Sequence, residues 1–176
     1  MFQPKDHHMT QIAQAEQEKA KRFLLNDFPV MLFTLEADQT PLWGLMTPQH
    51  MVEHLIVTYK MAIGRIKLPV VSKEEDWSRI KGYFMKDGPM KRSVPSPTGK
   101  NNLQPLRSAS LDEAREKLLQ ETAHFLAFVD EHPDFVANHP YGGPMTAVEW
   151  LLFNRKHIKH HFIQFGLMPD FEDRKD

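Results

Sequence analysis

Apolar residues recur at three- and four-residue intervals along four stretches of this chain, and no alternating strand pattern competes with them. In "SLDEAREKLLQETAHFLAFVDEH", Ser110 and Glu113 have capping-box spacing. Leu111, Ala114, Leu118, Thr122, Phe125, Leu126 and Val129 then line one face, and Pro133 follows as a stop. "TAVEWLLFNRKHIKHHFIQFGL" repeats the device, with Thr146 as N-cap, Glu149 three residues on, and Gly166 at the end before Pro169. "TPQHMVEHLIVTYKMAIGRI" has Thr47 as cap and Pro48 at the first helical position, where its missing N–H costs nothing. The fourth helix runs from about Thr10 to Leu25, with Ile12, Ala15, Ala20, Phe23 and Leu24 inward. Pro29 interrupts it, and "FPVMLFTLEA" reads as a shorter helical or irregular piece. "FPVMLF", residues 28–33, is apolar enough either to fill the core or to make a helix-helix dimer contact.

The second and third of these helices are separated by some 44 residues, Lys67 to Ser110, that read as a loop. Nine lysines and arginines against four acids leave it at +5, while the rest of the chain carries −6. A loop of that length is either a solvated crossover or a lid. As a lid, Lys86, Lys91, Arg92 and Lys100 would receive a carboxylate or phosphate. "SPTGKN" is not a phosphate-binding P-loop, because the second glycine is missing at the required spacing and Asn101 stands where Ser or Thr belongs.

With 176 residues the chain makes one domain, 1–176, around one core. A net charge of −1 supplies no field for nucleic acid. The chain shows no secretory apolar run and no membrane span, so a cytoplasmic protein is the expectation. With no cysteine, any metal must sit on histidine, carboxylate or water.

There are 10 histidines, and their spacing carries the chemistry. Residues four apart on a helix lie about 40° apart in rotation, so His157 and His161 project side by side, as two ligands of one ion would. Gln164 falls on that face and suits a partner that orients a ligand ring. Trp150, Phe153 and Met168 share the stripe, which turns the imidazoles inward. His160 lies about 60° from His157 and faces solvent or the rim of a pocket, and it stays open as an alternative ligand or a partner to one. A third ligand must come from elsewhere. His54, near the apolar boundary of its helix, is the better donor. His50 stays open as an alternative ligand or a partner to one.

The order helix, "PLWGLMTPQHMVEHL", long connection, helix, "HPYGGPMTAVEWLLFNRKHIKHHFIQFG" resembles the DinB-like (YfiT-like) superfamily. The likeness spans about Pro41 to Leu167, and within the family it points to a bacterial branch with the pattern HP-[FY]-G-x-[LM]-T…EW…H-x-x-HH-x-x-QF. The resemblance implies an all-α, up-down-down-up four-helix bundle. It also implies a divalent metal, zinc or nickel, held by His54, His157 and His161, and a homodimer. The activities it implies are those of a metal-dependent hydrolase or a thiol-dependent transferase acting on a small molecule, anionic or a low-molecular-weight thiol. The alternative is a non-catalytic metal- or small-ligand-binding stress-response module. Lys91, Arg92 and Tyr141 are the substrate-binding candidates. Acid or base work would fall to His50, Tyr59, Tyr141 or a metal-bound hydroxide, with no carboxylate placed for it.

Overall fold

The computed structural model of the protein describes residues 14–92, 94, 97 and 103–171, in five helical runs and one short hairpin. The first run, α1, spans 14–33. It does not stop at Pro29. A π-helical turn over Phe23–Asp27 lets the Phe28 N–H reach the Phe23 carbonyl, and Phe28–Phe33 continues as α-helix with Pro29 in its first turn. The wider turn absorbs the hydrogen bond that proline cannot make. Thr10 and Ile12, the expected start of this helix, lie outside the described residues.

Helix α2, Pro48–Ala62, is capped as its sequence predicts, the Thr47 hydroxyl accepting the His50 N–H. Met51, Val52, Leu55, Ile56, Tyr59 and Ala62 are buried. Helix α4, Leu111–Glu131, buries all seven residues of its predicted face. Ser110 accepts the Glu113 N–H, while the Glu113 carboxylate reaches one residue further back, to the Ala109 N–H at 2.6 Å.

Two elements were not expected. Helix α3, Glu74–Met85, sits inside the connection read as loop. Three acids in its first turn complement the helix dipole, and Trp77, Ile80 and Phe84 turn inward at helical spacing. No side chain caps it, and Gly82 lowers its propensity, so the N-cap signal that marks α2 and α4 is missing. A hairpin of β1, Val136–His139, and β2, Gly143–Thr146, precedes the last helix, pairing Val136 with Thr146 and His139 with Gly143. Four-residue strands are too short to print an alternating pattern. The turn is held by His139, whose Nδ1 accepts the N–H groups of Tyr141 and Gly142 at 3.1 and 3.0 Å.

Helix α5, Ala147–Gln164, has the full capping box at Thr146 and Glu149. It packs against α2, α3, α4 and β2, and α2 packs against α4. Trp150, Phe162, Phe28, Leu55, Leu118 and Phe125 are among the fully buried side chains between them. The crossover returns to α2 through Glu53, whose carboxylate accepts the N–H groups of Arg107 and Ser108 at 2.9 to 3.0 Å. No described helix is long and apolar enough to cross a membrane.

Candidate metal centre

α2 and α5 bring three imidazoles to one point. His157 Nε2 lies 3.1 Å from His54 Nε2 and 3.0 Å from His161 Nε2. One ligand atom from each ring falls within 4.8 Å of the other two. Three nitrogens bound tetrahedrally to one zinc at 2.0–2.1 Å would stand about 3.3 Å apart, so the observed spacing is close to that of a shared ion. His157 and His161 are buried, and His54 keeps one edge partly exposed.

The protonation of the trio tests whether an ion fits. Gln164 Nε2 donates to the Trp43 carbonyl at 2.8 Å, which leaves its Oε1 facing His161 Nδ1 at 2.7 Å. The amide orientation follows from these partners, since a carbonyl only accepts. His161 Nδ1 must therefore carry the proton, and its Nε2 presents a lone pair to His157. His157 Nε2 then has one proton at most for two contacts, with His54 and His161, and neutral rings leave one contact mispaired. Protonating a further ring is opposed. Burial pushes His54 down to about 4, assisted by His160. Burial also holds His157 and His161 well below the ordinary histidine range, the neighbouring histidines adding to it. A cation facing three lone pairs resolves the mismatch, and neutral imidazole is the form that binds it.

Surrounding residues fix the rings. Phe153 stacks on His157, with centroids 5.1 Å apart and planes 25° apart. Gly44 makes the Gln164 contact possible: its φ is +83°, and a Cβ there would stand 2.9 Å from Gln164 Nε2. The loop is held again by the Leu42 N–H to the Gln164 carbonyl at 2.7 Å.

The other site candidates are placed differently. His50 is not at the trio; its Nδ1 lies 2.6 Å from the Thr47 hydroxyl at the start of α2. His160 stands at the rim, 5.1 Å from the His161 ring and 5.5 Å from Trp43, and lines a cleft of about 210 Å³. Burial, with Arg92 next, lowers its pKa to about 4. Arg92 lines the same cleft. Lys91 is exposed, its backbone N–H donating to the Tyr83 hydroxyl at 2.7 Å. Tyr141 belongs to the hairpin turn beside His139, away from the cleft lining. Tyr59 is buried against Phe125 and does not join the trio. Lys100 and most of "SPTGKN" lie outside the described residues.

Sequence reasoning missed Lys156, Trp43 and Asp170, which complete the cleft. Lys156 Nζ donates to the carbonyls of Tyr83 and Lys86 at 2.6 and 2.9 Å, tying the end of α3 to α5. Its place on a helix rich in buried polar residues was the available signal.

No curated protein and no solved structure matches the chain. A family model described as DinB superfamily matches residues 33–165. That match covers more than half of the chain and contains all three converging histidines, and the protein belongs to the DinB superfamily.

Proposed function

We propose that His54, His157 and His161 hold one divalent cation, zinc or nickel, and that the protein is a metal-dependent enzyme acting on a small molecule, as a hydrolase or a thiol-dependent transferase. The observation that carries this reading is the mispaired trio of ring nitrogens, 3.0 and 3.1 Å apart, which a cation would satisfy. Such an ion supplies Lewis-acid chemistry, lowering the pKa of a water or thiol that it binds. The chain's residues do the rest. Gln164 holds the proton of His161 on Nδ1 and so aims its Nε2 at the centre. Phe153 keeps the His157 ring in plane, and the docked Trp43 carbonyl fixes Gln164 in turn. Arg92 and Lys156 give the adjoining cleft a positive wall for an anionic substrate.

Further parts of the proposal are an up-down-down-up four-helix bundle of α1, α2, α4 and α5, a homodimer and a cytoplasmic location. Packing of α2 on α4 and of both on α5 supports the bundle. Exposed Leu25, Val30 and Phe33 on α1 support an association face.

A second reading, a non-catalytic metal-binding module, draws support from burial: none of the three histidines lines the cleft. Elemental analysis of protein made without a histidine tag or nickel resin is expected to find near one equivalent of metal. His161→Ala should abolish it and His160→Ala should largely spare it. Equal metal in both variants refutes the ligand set. Turnover in a panel of hydrolase and thiol-transferase substrates, lost in His161→Ala, separates enzyme from module.

A further inference from the structure

The Arg92 guanidinium lies 4.1 Å from the centroid of the Trp43 ring. One flat face is thereby covered, and its fork of N–H donors is left for a planar partner. That partner is the Asp170 carboxylate, in a direct ion pair. Asp170 belongs to the segment that leaves α5 after Gly166 and Pro169, and it closes one side of an open cleft. Trp43, Arg92, Lys156, His160, Ile163 and Asp170 wall about 210 Å³ there, room for a molecule of one ring. Among the described lining residues two cations thus face one carboxylate, and the walls between them are aromatic and aliphatic. Lys156 adds charge, but two of its three N–H donors are engaged by the Tyr83 and Lys86 carbonyls, and its Nζ sits 4.0 Å from the Tyr83 ring. A phosphate would find one fork for three oxygens, whereas a carboxylate is matched by it.

We propose that this cleft binds a small molecule bearing a carboxylate on a flat apolar body, that the carboxylate takes the Arg92 fork, and that Asp170 is the internal competitor displaced on binding. The proposal rests on the metal-site reading only in taking the bound molecule as substrate. Binding itself is independent of the ion and is measured on chelator-treated protein, so failure here and failure of the metal centre are separate results.

The test is titration calorimetry of the full chain with benzoate, benzamide and inorganic phosphate, with circular dichroism verifying the fold of each variant. Native protein is expected to bind benzoate and neither of the others. Asp170→Asn, which removes the competing charge, should tighten benzoate about fivefold, equivalent to about 1 kcal/mol. Arg92→Gln should abolish binding, and Arg92→Lys, which keeps the charge but loses the fork, should weaken it even if the glutamine variant fails to fold. The proposal is overturned by benzoate binding Asp170→Asn no tighter than native, by undiminished binding to either Arg92 variant, or by phosphate binding more tightly than benzoate. Absence of benzoate binding by Asp170→Asn at millimolar concentration overturns it equally.

Discussion

Gln164 offers a direct test of whether the histidine trio is held ready for an ion. Replacing it by leucine keeps the volume and removes both hydrogen bonds, leaving His161 Nδ1–H and the Trp43 carbonyl without their partners at 2.7 and 2.8 Å. The buried His161 Nδ1–H so orphaned costs about 1–3 kcal/mol and the half-buried Trp43 carbonyl less, so the metal-free protein should lose at least about 1–3 kcal/mol of stability. The His161 ring also loses what fixes its proton on Nδ1. Loss of such a partner weakens metal binding by about 10- to 100-fold, or about 1.4–2.8 kcal/mol. Gln164→Glu separates the two effects. Its carboxylate accepts the Nδ1–H in a stronger, charge-assisted bond but has no donor for the Trp43 carbonyl. Metal affinity should therefore return to native or better while stability stays low. The assay is competition against a chromogenic zinc chelator on tagless protein, alongside thermal melts of the metal-free variants. If Gln164→Leu binds zinc as tightly as the native chain, the tautomer argument fails, and with it the main support for the centre.

Four further outcomes follow from local features. Burial alone would push the Glu53 carboxyl up, but the N–H groups of Ser108 and Arg107, with the Gln49 amide, outweigh it and hold the pKa below its ordinary 4.5. Glu53→Gln should cost about 1.5–3 kcal/mol in urea unfolding at neutral pH. A depressed carboxyl contributes stability above its unfolded pKa and loses it as pH falls through the folded one, so the gap from native should close well below pH 4.5. Gly143→Ala would place a Cβ 2.3 Å from Trp77 Cδ2 at a φ of +64°, and should cost about 2–5 kcal/mol by calorimetric melting. Gly82→Ala, with nothing within 4 Å of the new methyl, should instead raise the melting temperature slightly. Burial lowers His139 to about 3 and His54 to about 4. Because the unfolded chain takes up these protons first, stability of the metal-free protein is full above pH 6.5 and falls below it, by about 1.4 kcal/mol per pH unit per group. A melting temperature that is flat from pH 7 to pH 5 would contradict this.

What could be read in advance depended on how local the cause was. Caps are local: Ser110, Thr47 and Thr146 with Glu149 announced three helix starts, and the structure has them there. His157 and His161 were legible because helical spacing alone sets them side by side. His54 could be preferred over His50 only by its angle to the apolar face, and the structure brings His54 and not His50 to the pair. Helix α3 was hidden because no cap marks it and its inward stripe is short, with Trp77 and Ile80 half-buried and Phe84 alone buried. The hairpin was hidden because its turn is secured by an imidazole ring accepting two backbone N–H groups, a role no residue pattern signals. The cleft depends on Asp170 meeting Arg92 across 78 positions of sequence, which no local pattern predicts.

Helix α5 shows why the site had to lie where it does. It buries Asn154, Arg155, Lys156, His157, His161 and Gln164 along with its aromatic residues, so its hydrophobic period is blurred and every flank meets protein. Burying so many polar groups is tolerated only where each finds a partner. Arg155 reaches Glu16 on α1 at 3.0 Å, Lys156 reaches the end of α3, and Gln164 reaches the Trp43 loop. Arg155, Lys156 and Gln164 thus each fasten a different neighbour to the same helix, while Asn154 Nδ2 and Arg155 Nε stay buried without a hydrogen-bond partner. His157 is left unbalanced at both ring nitrogens. Its Nδ1 is buried without a hydrogen-bond partner, and its Nε2 faces two other ring nitrogens that it cannot both satisfy. An ion present at 100 times its dissociation constant adds about 2.7 kcal/mol to the folded state, comparable to the cost of one or two orphaned buried groups. The mispaired Nε2 contacts of His157 are therefore of the size and sign that one bound cation would offset, and they lie where α2 meets α5.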